Sequence, residues 1–272
     1  MSAIILDGVK TAEEIKKDLK EKIAKMKTPP SLAAVLAGDD PSSELYVKLK
    51  EASSRKIGME FHKYLCNEKC YPDISQKKLL EVIDFLNKDK TVNGIIVQLP
   101  LPEKYDPEKV INKIDPKKDV DGFHPKNNLV VPPTISAILE LLKQTKQDLK
   151  GKSALIIAKG DVFTKGIEKR LNELWIKTKN SREIPADSKD YDIIIIALGK
   201  AKSLKKSMVK KDSIIIDVGI NRTKNGIVGD ADPKVAEVCG FLSPVPGGVG
   251  PLTVACLLKN TVLLAQEQIH EE

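Results

Sequence analysis

The sequence is poor in aromatic residues and in long apolar runs, and each shortage argues against a class of function. Phe, Trp and Tyr make up 4% of the 272 residues, with a single Trp, which argues against stacking nucleic-acid bases on aromatic platforms. The longest apolar run, Ile193 to Leu198, has six residues, whereas a membrane-spanning helix needs roughly 20. We therefore expect neither a nucleic-acid partner nor a membrane partner.

Cysteine is also scarce, with four residues in the chain. Cys66 and Cys70 have three residues between them, and no second Cys or His pair follows at zinc spacing. Metal ligation by this pair is the alternative that we set aside. Because the first residues reach Asp7 without a signal-peptide or transit-peptide pattern, we expect reduced thiols, a cytoplasmic protein and no bound metal.

Charge of either sign is not concentrated in one segment. Lys and Arg number 45 and Asp and Glu 38, which gives a net charge of +7 with His neutral. Lysines interleaved with acids, as in KKDLKEKIAK, usually form a solvated helix face. The balance favours an anionic partner, and on charge alone nucleic acid, phosphorylated molecules and polycarboxylates stay open.

Strand and helix patterns alternate along the chain, and its length favours two domains. Five short apolar runs predict strands that are buried on both faces of a parallel sheet: 32–37, 94–98, 154–158, 193–198 and 214–218. Between them lie amphipathic stretches, among them 11–26, where Thr11 and Glu14 form a possible capping box. We therefore predict α/β architecture, with the first half ending near Lys126 and a last helix over 251–269.

Two segments of the first half carry candidate reactive side chains. In PSSELYVKLKEASSRKIGM, a helix that Ser42 or Ser43 caps and Gly58 ends, Tyr46 and Lys50 share one face. A buried Lys can exchange protons near neutrality, although a surface Tyr packed on a Lys stem has the same spacing. In NGIIVQLPLP, Gln98 ends a strand, where α/β proteins bind ligands.

A third segment, IDPKKDVDGFHPKNN, places Asp119, Asp121, Gly122 and His124 in a loop. No further acid follows at calcium-loop spacing. A fixed carboxylate also recognises a heterocycle through its N–H groups, while a turn of solvated acids is the simpler alternative. His124 alone is better explained as a structural residue.

The second half contains a strand–turn–helix segment, SALIIAKGDVFTKGIEKRL, at the place of a dinucleotide phosphate turn. Its glycines, Gly160 and Gly166, do not follow the G-x-G-x-x-G spacing, and Lys159 and Lys165 add charge that a phosphate favours. Further on, three Gly and three Pro fall within residues 244–251. Such a rigid loop permits close approach of a flat ligand, or serves as a turn.

Taken together, these segments closely resemble the methylenetetrahydrofolate dehydrogenase/cyclohydrolase family. The matching stretches, which span residues 46 to 253, are YVKLK, GIIVQLPLP, KDVDGFHP, IDVGIN, VGDAD and PVPGGVGPLT. The resemblance implies two α/β domains flanking a cleft. One comprises residues 1–128 together with a returning helix over 251–272 and binds folate. The other, residues 129–250, is a Rossmann-type NADP-binding domain.

The resemblance also implies roles for residues of the folate half. Lys50 matches the catalytic lysine and Gln98 the glutamine that tunes it. Tyr46 matches the tyrosine that lines the folate site, and we count it with the catalytic set. Asp121 matches the carboxylate that anchors the pterin. The remaining substrate-binding matches are Leu99, Pro246, Gly247 and Gly248.

The cofactor half departs from the family pattern. The usual turn G-R-S-x-x-V-G-x-P is here AKGDVFTKG, the usual P-C-T-P is PPTI, and the usual His-Ser is Asn180-Ser181. We expect Lys159, Ser181 and Arg182 to hold a ribose phosphate, which favours NADP over NAD. The residues that match cofactor-binding positions are Thr134, Ala158, Lys159, Gly160, Ser181, Gly199, Gly219 and Ile220.

The implied function is NADP-dependent oxidation of 5,10-methylenetetrahydrofolate and hydrolysis of the methenyl product to 10-formyltetrahydrofolate. The family also implies a homodimer and a place in one-carbon metabolism, with links to purine, methionine and histidine biosynthesis. An alternative is a member with one activity, either the hydrolase alone or an NAD-dependent dehydrogenase. A second alternative is a non-catalytic protein that binds nucleic acid through its basic surface, which strongly salt-dependent affinity would reveal.

Overall fold

The computed structural model describes residues 2–67, 74–224 and 226–271. In chain order the elements are β1 (Ile4–Ile5), α1 (Gly8–Ile23), β2 (Ser31–Ala37), α2 (Pro41–Lys56), β3 (Glu60–Cys66), α3 (Gln76–Lys88), β4 (Gly94–Val97), α4 (Pro107–Ile111), α5 (Pro133–Gln144), β5 (Ser153–Ala158), α6 (Asp161–Glu173), β6 (Lys177–Ser181), β7 (Ile193–Ala197), β8 (Ile214–Asp217), β9 (Asn221–Thr223), β10 (Gly226–Val228), β11 (Phe241–Leu242) and α7 (Val249–Glu271). Three short 3-10 helices complete the second half, at Ser188–Asp190, Lys206–Met208 and Pro233–Glu237. All five predicted strands are present.

The chain divides into two compact units. One, which we call the catalytic unit, comprises residues 13–133 and 254–272, and the other, the nucleotide unit, comprises residues 1–12 and 134–253. The predicted division assigned residues 1–12 to the first domain. The structure places them in the nucleotide unit, because β1 pairs in parallel with β11 at the edge of that unit's sheet.

The catalytic unit is built on a parallel sheet with strand order β3-β2-β4. Alternate residues of β2 point to opposite faces, and both faces are buried. Leu32, Ala34 and Leu36 lie in a core with side chains from α1, α2 and α7. Ala33, Val35 and Ala37 lie in a second core with side chains from α3 and α4. Burial on both faces explains the uninterrupted apolar sequence of this strand.

The nucleotide unit contains a six-stranded parallel sheet with order β1-β11-β8-β7-β5-β6. Counted from β5 this order is 2-1-3-4-5, one of the two common doubly wound arrangements. In the sheet, β6 lies on one side of β5, and β7, the next strand along the chain, lies on the other side. The carboxyl ends of β5 and β7 therefore flank the switch point at which such sheets bind ligands. The prediction of two α/β domains, with a parallel sheet in the second, is confirmed.

Two predicted helix starts are wrong. Helix α1 begins at Gly8, where Asp7 accepts a hydrogen bond from the Lys10 amide at 2.9 Å, so Thr11 and Glu14 lie inside the helix. Helix α2 is capped by Asp40, which accepts from the Ser43 amide at 2.8 Å, rather than by Ser42 or Ser43. In both places an acid preceding the helix supplies the cap, as Asp does well.

One helix of the described residues, α7 over Val249–Ile269, is long and apolar enough to cross a membrane by length and composition. The expectation that no segment spans a membrane rested on uninterrupted apolar runs. Lys259 interrupts the apolar sequence of this helix, which still meets the criterion of length and composition. Of its most apolar 18-residue window, 61% is buried within the protein. A mostly buried core helix passes the same test, so this helix is weak evidence for a span.

Candidate active site

Helix α2 places Tyr46 and Lys50 one turn apart. Ser43, Val47 and Ser54 form its buried face, which fixes the rotation of the helix on the sheet. Tyr46 and Lys50 lie at the edge of this face and are half-buried. The Ser54 hydroxyl donates to the Lys50 carbonyl at 2.9 Å. Gly58 follows the end of the helix with a φ of 84°, which confirms its predicted place at the helix end.

Gln98 follows β4 and holds the Lys50 ammonium. Lys50 Nζ donates to Gln98 Oε1 at 2.9 Å, while Gln98 Nε2 donates to the Leu99 carbonyl at 2.5 Å. Because the amide is engaged at both ends, its oxygen is fixed toward the lysine. The structure therefore brings together Lys50 and Gln98, which are 48 residues apart in the sequence.

Asp121 belongs to a loop that continues the sheet. The Ile95 amide donates to the Lys118 carbonyl at 2.7 Å, and Asp119 pairs with Ile95 as an isolated parallel bridge. The segment thus runs beside β4 and ends at Asp121, near the carboxyl end of that strand. Here the parallel-strand rule brings a second polar side chain to the ligand-binding edge of the sheet.

The charges of Lys50 and Asp121 interact, and burial disfavours both. Burial lowers the pKa of the Lys50 ammonium below its usual value, and the Asp121 carboxylate opposes this change. Burial raises the pKa of Asp121 to about 6; Lys50 opposes this shift and the neighbouring Asp119 adds to it. A lysine with a lowered pKa can take and return a proton near neutral pH.

The loop that carries Asp121 is organised by a residue that the sequence analysis left without a role. The carboxylate of Asp119, 1% exposed, accepts from the Gly122 amide at 3.1 Å and the His124 amide at 2.8 Å. It also accepts from Asn127 Nδ2 at 3.1 Å. Asp119 therefore acts on the backbone, as does the buried His124, whose Nδ1 accepts from the Lys126 amide. This agrees with the structural interpretation of His124.

The loop of residues 246–248 lies in the nucleotide unit and packs on the start of α1. The Val9 amide donates to the Gly247 carbonyl at 3.2 Å. A Cβ atom at Gly8 would lie 1.8 Å from the Gly248 carbonyl oxygen, so glycine is required at Gly8 for this approach. Gly247 itself has a φ of 107°, which favours glycine. The predicted substrate-binding residues Pro246, Gly247 and Gly248 thus form a loop of fixed shape.

The predicted phosphate turn joins β5 to α6 at the switch point. Gly160 precedes the first helical residue, and no side chain caps the amides of that helix end. A Cβ atom at Gly160 would meet no other atom within 4 Å, so the backbone is open on this side. Free amides at a helix N-terminus with open space beside them suit a phosphate group.

A cavity of about 340 Å³ lies beside this turn, and most of the residues that line it are polar or charged. Its lining residues are Ala158, Asp161, Thr164, Lys165, Glu168, Asn180, Ser181 and Arg182. Arg182 Nη2 lies 3.0 Å from Asp161 Oδ1, in an exposed ion pair. The structure thus brings the turn and the end of β6 together around one cavity, with cationic side chains on both sides and two acids, Asp161 and Glu168, on the helix.

Two departures from the family pattern touch each other. Ile135 stands where the family has Pro in P-C-T-P, and Gly166 stands where it has Pro at the end of the turn. A Cβ atom at Gly166 would lie 2.6 Å from Cδ1 of Ile135. The larger side chain on α5 therefore occupies the space beside α6, so the two changes compensate each other in packing. Thr134, the predicted cofactor contact, is half-buried in the first turn of α5.

The remaining predicted cofactor residues follow β7 and β8. Gly199 has a φ of 67° and open space where a side chain would be. Gly219 lies in the turn after β8, and Ile220 beside it is 46% exposed. Gly199 follows β7 at the switch point, as Gly160 follows β5, whereas Gly219 and Ile220 follow the next strand.

The cysteines that the structure describes are buried, and none of them forms a disulfide with another described cysteine: Cys66, Cys239 and Cys256. Burial raises the pKa values of Cys66 and Cys239 to about 11. Cys70 lies outside the described residues. Within the described ranges, no three His, Cys, Asp or Glu side chains are grouped as metal ligands.

A larger cavity, about 820 Å³, lies between β3 and α3 in the catalytic unit. Its walls include Tyr64, Cys66, Ile74 and Phe85, and none of the predicted site residues lines it. Because Cys66 and Ile74 border residues 68–73, which the structure does not describe, we assign no function to it.

Family models match both halves of the chain. The model of the tetrahydrofolate dehydrogenase/cyclohydrolase catalytic domain matches residues 6–121, and the model of the NAD(P)-binding domain of the same family matches residues 132–269. The bifunctional protein FolD of Nautilia profundicola is 37% identical over 98% of this chain and 99% of its own length.

Solved structures agree with these matches. The bifunctional FolD dehydrogenase/cyclohydrolase of Campylobacter jejuni is 37% identical, with a TM-score of 0.93 over 98% of this chain and 99% of that one. The dehydrogenase–cyclohydrolase of Trypanosoma brucei, solved with NADP and an inhibitor, is 28% identical, with a TM-score of 0.90 over 99% of both chains. By sequence and by fold, this chain is a bifunctional enzyme of the tetrahydrofolate dehydrogenase/cyclohydrolase family.

Proposed function

We propose that this enzyme oxidises 5,10-methylenetetrahydrofolate to the 5,10-methenyl form with NADP as hydride acceptor, and then hydrolyses that product to 10-formyltetrahydrofolate. The observation that carries the proposal is the hydrogen bond of 2.9 Å from Lys50 Nζ to Gln98 Oε1, beside a carboxylate, Asp121, whose charge interacts with the same lysine. This arrangement supports the proposal because an amine that can transfer protons and a carboxylate that can anchor a heterocycle belong to one unit.

The oxidation needs alignment more than proton transfer. The hydride leaves a carbon held between two nitrogens, whose lone pairs stabilise the resulting cation. NADP supplies the acceptor when it is bound. The part of the chain is then to hold the folate in one orientation, with Asp121 accepting from pterin N–H groups and Tyr46 packing against the ring system. Asp121 is suited to this because Asp119 and the Gly122 turn fix the loop on which it lies.

The hydrolysis needs a group that takes a proton and then returns one. Water adds to the methenyl carbon and gives up a proton, for which a neutral Lys50 is the acceptor. The bond from that carbon to N5 then breaks, and the Lys50 ammonium donates a proton to N5. The hydroxyl on the carbon loses its proton to solvent as the C=O bond forms, which leaves the formyl group on N10 and releases one net proton. The lowered pKa of Lys50 makes both forms accessible, and Gln98 keeps Nζ in place.

The cofactor residues fit a phosphorylated dinucleotide, although they differ from the family pattern. The open helix end at Gly160 is suited to the pyrophosphate. Lys159, Ser181 and Arg182 offer two cations and a hydroxyl for a ribose phosphate, which supports NADP over NAD. Two lining residues, Asp161 and Glu168, would repel a phosphate. Asp161 is paired with Arg182, and Glu168 accepts from Asn180 Nδ2. A single-activity member is not favoured, because the chain has the hydrolytic pair and its relatives are bifunctional.

We further propose a cytoplasmic homodimer that serves one-carbon metabolism and, through it, purine, methionine and histidine biosynthesis. The lack of disulfides among the described cysteines supports a reducing compartment. The family resemblance supports the dimer, and sedimentation of the purified protein tests it. Binding of DNA or RNA that weakens steeply with salt would instead support the nucleic-acid alternative.

The variant Lys50→Met tests the proposed role of the lysine. Methenyl hydrolysis, followed by absorbance, is expected to fall by at least about 100-fold, since general acid–base groups contribute that much. The dehydrogenase rate is expected to fall as well, while folate binding is kept. Lys48→Met is the matched control, because Lys48 lies on the same helix and pairs with Glu44 in solvent. Unchanged hydrolysis in the Lys50 variant would refute the role.

A further inference from the structure

Two buried acids of the nucleotide unit, Asp217 and Asp230, are used by no step of the proposed chemistry. Asp217 ends β8 and is 2% exposed, and Asp230 is fully buried. An ionised carboxylate in such surroundings needs several hydrogen-bond donors. Where those donors lie therefore indicates what the acids do.

The donors to Asp230 are three consecutive backbone amides after β7. Leu198 N and Gly199 N donate to Oδ2 at 2.6 and 3.0 Å, and Lys200 N donates to Oδ1 at 2.8 Å. Asn221 Nδ2 supplies a fourth bond to Oδ1 at 2.8 Å. These four donors use the acceptor positions of the carboxylate, and they fix the turn at Gly199.

The donors to Asp217 lie in the two neighbouring turns. Gly219 N donates to Oδ1 at 2.9 Å, and the amides of Asp230 and Ala231 donate at 3.1 and 2.8 Å. Asp217 thus holds the backbone of Asp230, which in turn holds Gly199. The two acids form one linked brace for the loops after β7 and β8.

The glycines of these loops are explained by the brace. A Cβ atom at Gly219 would lie 2.2 Å from Cγ of Asp230, and one at Gly229 would lie 1.9 Å from Oδ2 of Asp217. Both distances are impossible, so each carboxylate occupies the place of a missing side chain. Gly219 is therefore required for packing against Asp230, whether or not a ligand approaches it.

We propose that Asp230 and Asp217 are positioning residues for the dinucleotide, acting through the loops at Gly199 and at Gly219–Ile220. The proposal rests on the proposed function, since it takes these loops as cofactor contacts. Each loop follows a parallel strand, and Gly199 lies at the switch point of the sheet. A loop that is held before the ligand arrives lowers the entropy that binding must overcome.

The test is Asp230→Asn, assayed for both activities. The Asn side chain has the same shape as that of Asp, but it presents an NH₂ group to backbone N–H groups that need an acceptor. The KM for NADP is expected to rise about tenfold or more, as for the loss of one hydrogen bond to a charged group. The hydrolysis of methenyltetrahydrofolate is expected to stay within about twofold, because Lys50, Gln98 and Asp121 belong to the catalytic unit.

Asp232→Asn is the matched control, since Asp232 lies two residues away, caps a short helix through the Lys234 amide and pairs with Lys205. Its KM for NADP is expected to stay unchanged. Asn221→Ala removes one donor and leaves the carboxylate in place, so it is expected to raise that KM less, by about threefold. This milder variant tests the proposal if Asp230→Asn does not fold.

Thermal unfolding separates positioning from a purely structural role. Variants that are folded at the assay temperature, with raised KM for NADP and normal hydrolysis, support the brace. A folded Asp230→Asn whose KM for NADP is unchanged overturns it, and so does a fall of both activities in the same proportion. Failure of the proposed function is distinguishable, because it would appear in the unaltered protein as no NADP-dependent formation of methenyltetrahydrofolate.

Discussion

At the scale of single residues, we assign the proposed chemistry of the catalytic unit to three side chains from separate segments. Lys50 comes from α2, Gln98 from the end of β4 and Asp121 from the loop beside that strand. Gln98 holds the Lys50 ammonium, and Asp119 holds the loop that carries Asp121. The proposed proton-transfer group is therefore fixed in position, and burial lowers its pKa.

The pKa of Asp121, raised to about 6 by burial, makes a pH prediction. Above that pH the carboxylate is ionised and, in its proposed role, would accept hydrogen bonds from the pterin; below it one acceptor would be lost. We expect kcat/KM for the folate substrate to fall by about tenfold per pH unit below 6. In Asp121→Asn it is expected to be low at all pH values and free of this titration.

The pH profile of Asp18→Asn provides the control, because Asp18 is exposed on α1 and pairs only with Lys22 among the contacts described. Its profile is expected to match that of the unaltered protein. A normal titration near pH 6 in the Asp121 variant would assign that titration to another group.

Sequence reasoning predicted the three reactive residues but not the residues that hold them. Lys50, Gln98 and Asp121 lie in motifs with a recognisable spacing. Asp119 and Asp230 act mainly through backbone amides, and such partners depend on the folded path of the chain. The sequence did contain a signal for them. Asp119 and Asp121 flank Val120, and Asp230 and Asp232 flank Ala231, and such pairs of acids are unusual beside buried segments.

At the scale of elements, a polar side chain within an apolar helix shows where that helix holds a neighbouring loop. Asn260 lies in the apolar stretch of α7 and is 7% exposed. Its Nδ2 donates to the carbonyls of Val120 and Val131, each at 2.9 Å. The helix thereby clamps both ends of the loop that contains Asp121.

The variant Asn260→Ala is therefore expected to affect both stability and substrate binding. Losing the donor for two buried carbonyls should lower the free energy of unfolding by about 1–3 kcal/mol. The KM for folate should rise, because Val120 immediately precedes Asp121. Denaturant unfolding and steady-state kinetics measure the two effects, with the exposed Gln266→Ala on the same helix as control. A loss of stability with unchanged KM would show that the clamp does not reach the site.

Two of the strands that the sequence analysis missed, β3 and β6, lie at the edges of their sheets. β3 mixes exposed and buried residues, and β6, with sequence KTKNS, is an entirely polar strand. Edge strands need less apolar sequence than central ones, so periodicity and apolar runs do not reveal them. The internal strands of four or more residues were all predicted, whereas the internal strand β11, with two residues, was missed.

At the scale of the whole molecule, the chain crosses between its two units three times, near residues 12, 133 and 253. The placement of residues 1–12 could not be predicted, because the pairing of β1 with β11 joins segments more than 230 residues apart. Two residues of strand carry no periodicity of their own. Only the neighbouring backbone of the sheet determines where they go.

Because the two units are proposed to bind different ligands, we expect the cofactor to raise the thermal stability of the nucleotide unit selectively. At about 100 times its Kd, NADP should add about 2.7 kcal/mol to the unfolding free energy of the nucleotide unit. That corresponds to a rise of several degrees in the Tm. NAD at the same concentration should give a smaller shift, and Lys50→Met should keep the full NADP effect. Differential scanning calorimetry measures it, and a larger shift with NAD than with NADP would contradict the cofactor assignment.

In the cofactor cavity, Asp161 forms an ion pair with Arg182 and therefore competes with an incoming phosphate for that arginine. A phosphate that takes Arg182 must first separate it from Asp161, so binding exchanges one ion pair for another without adding a pair. Added salt screens both pairs alike. We therefore expect the affinity for NADP to change little with ionic strength, because Asp161 already pairs with Arg182 before NADP binds. If Arg182 were unpaired, added salt would weaken that affinity.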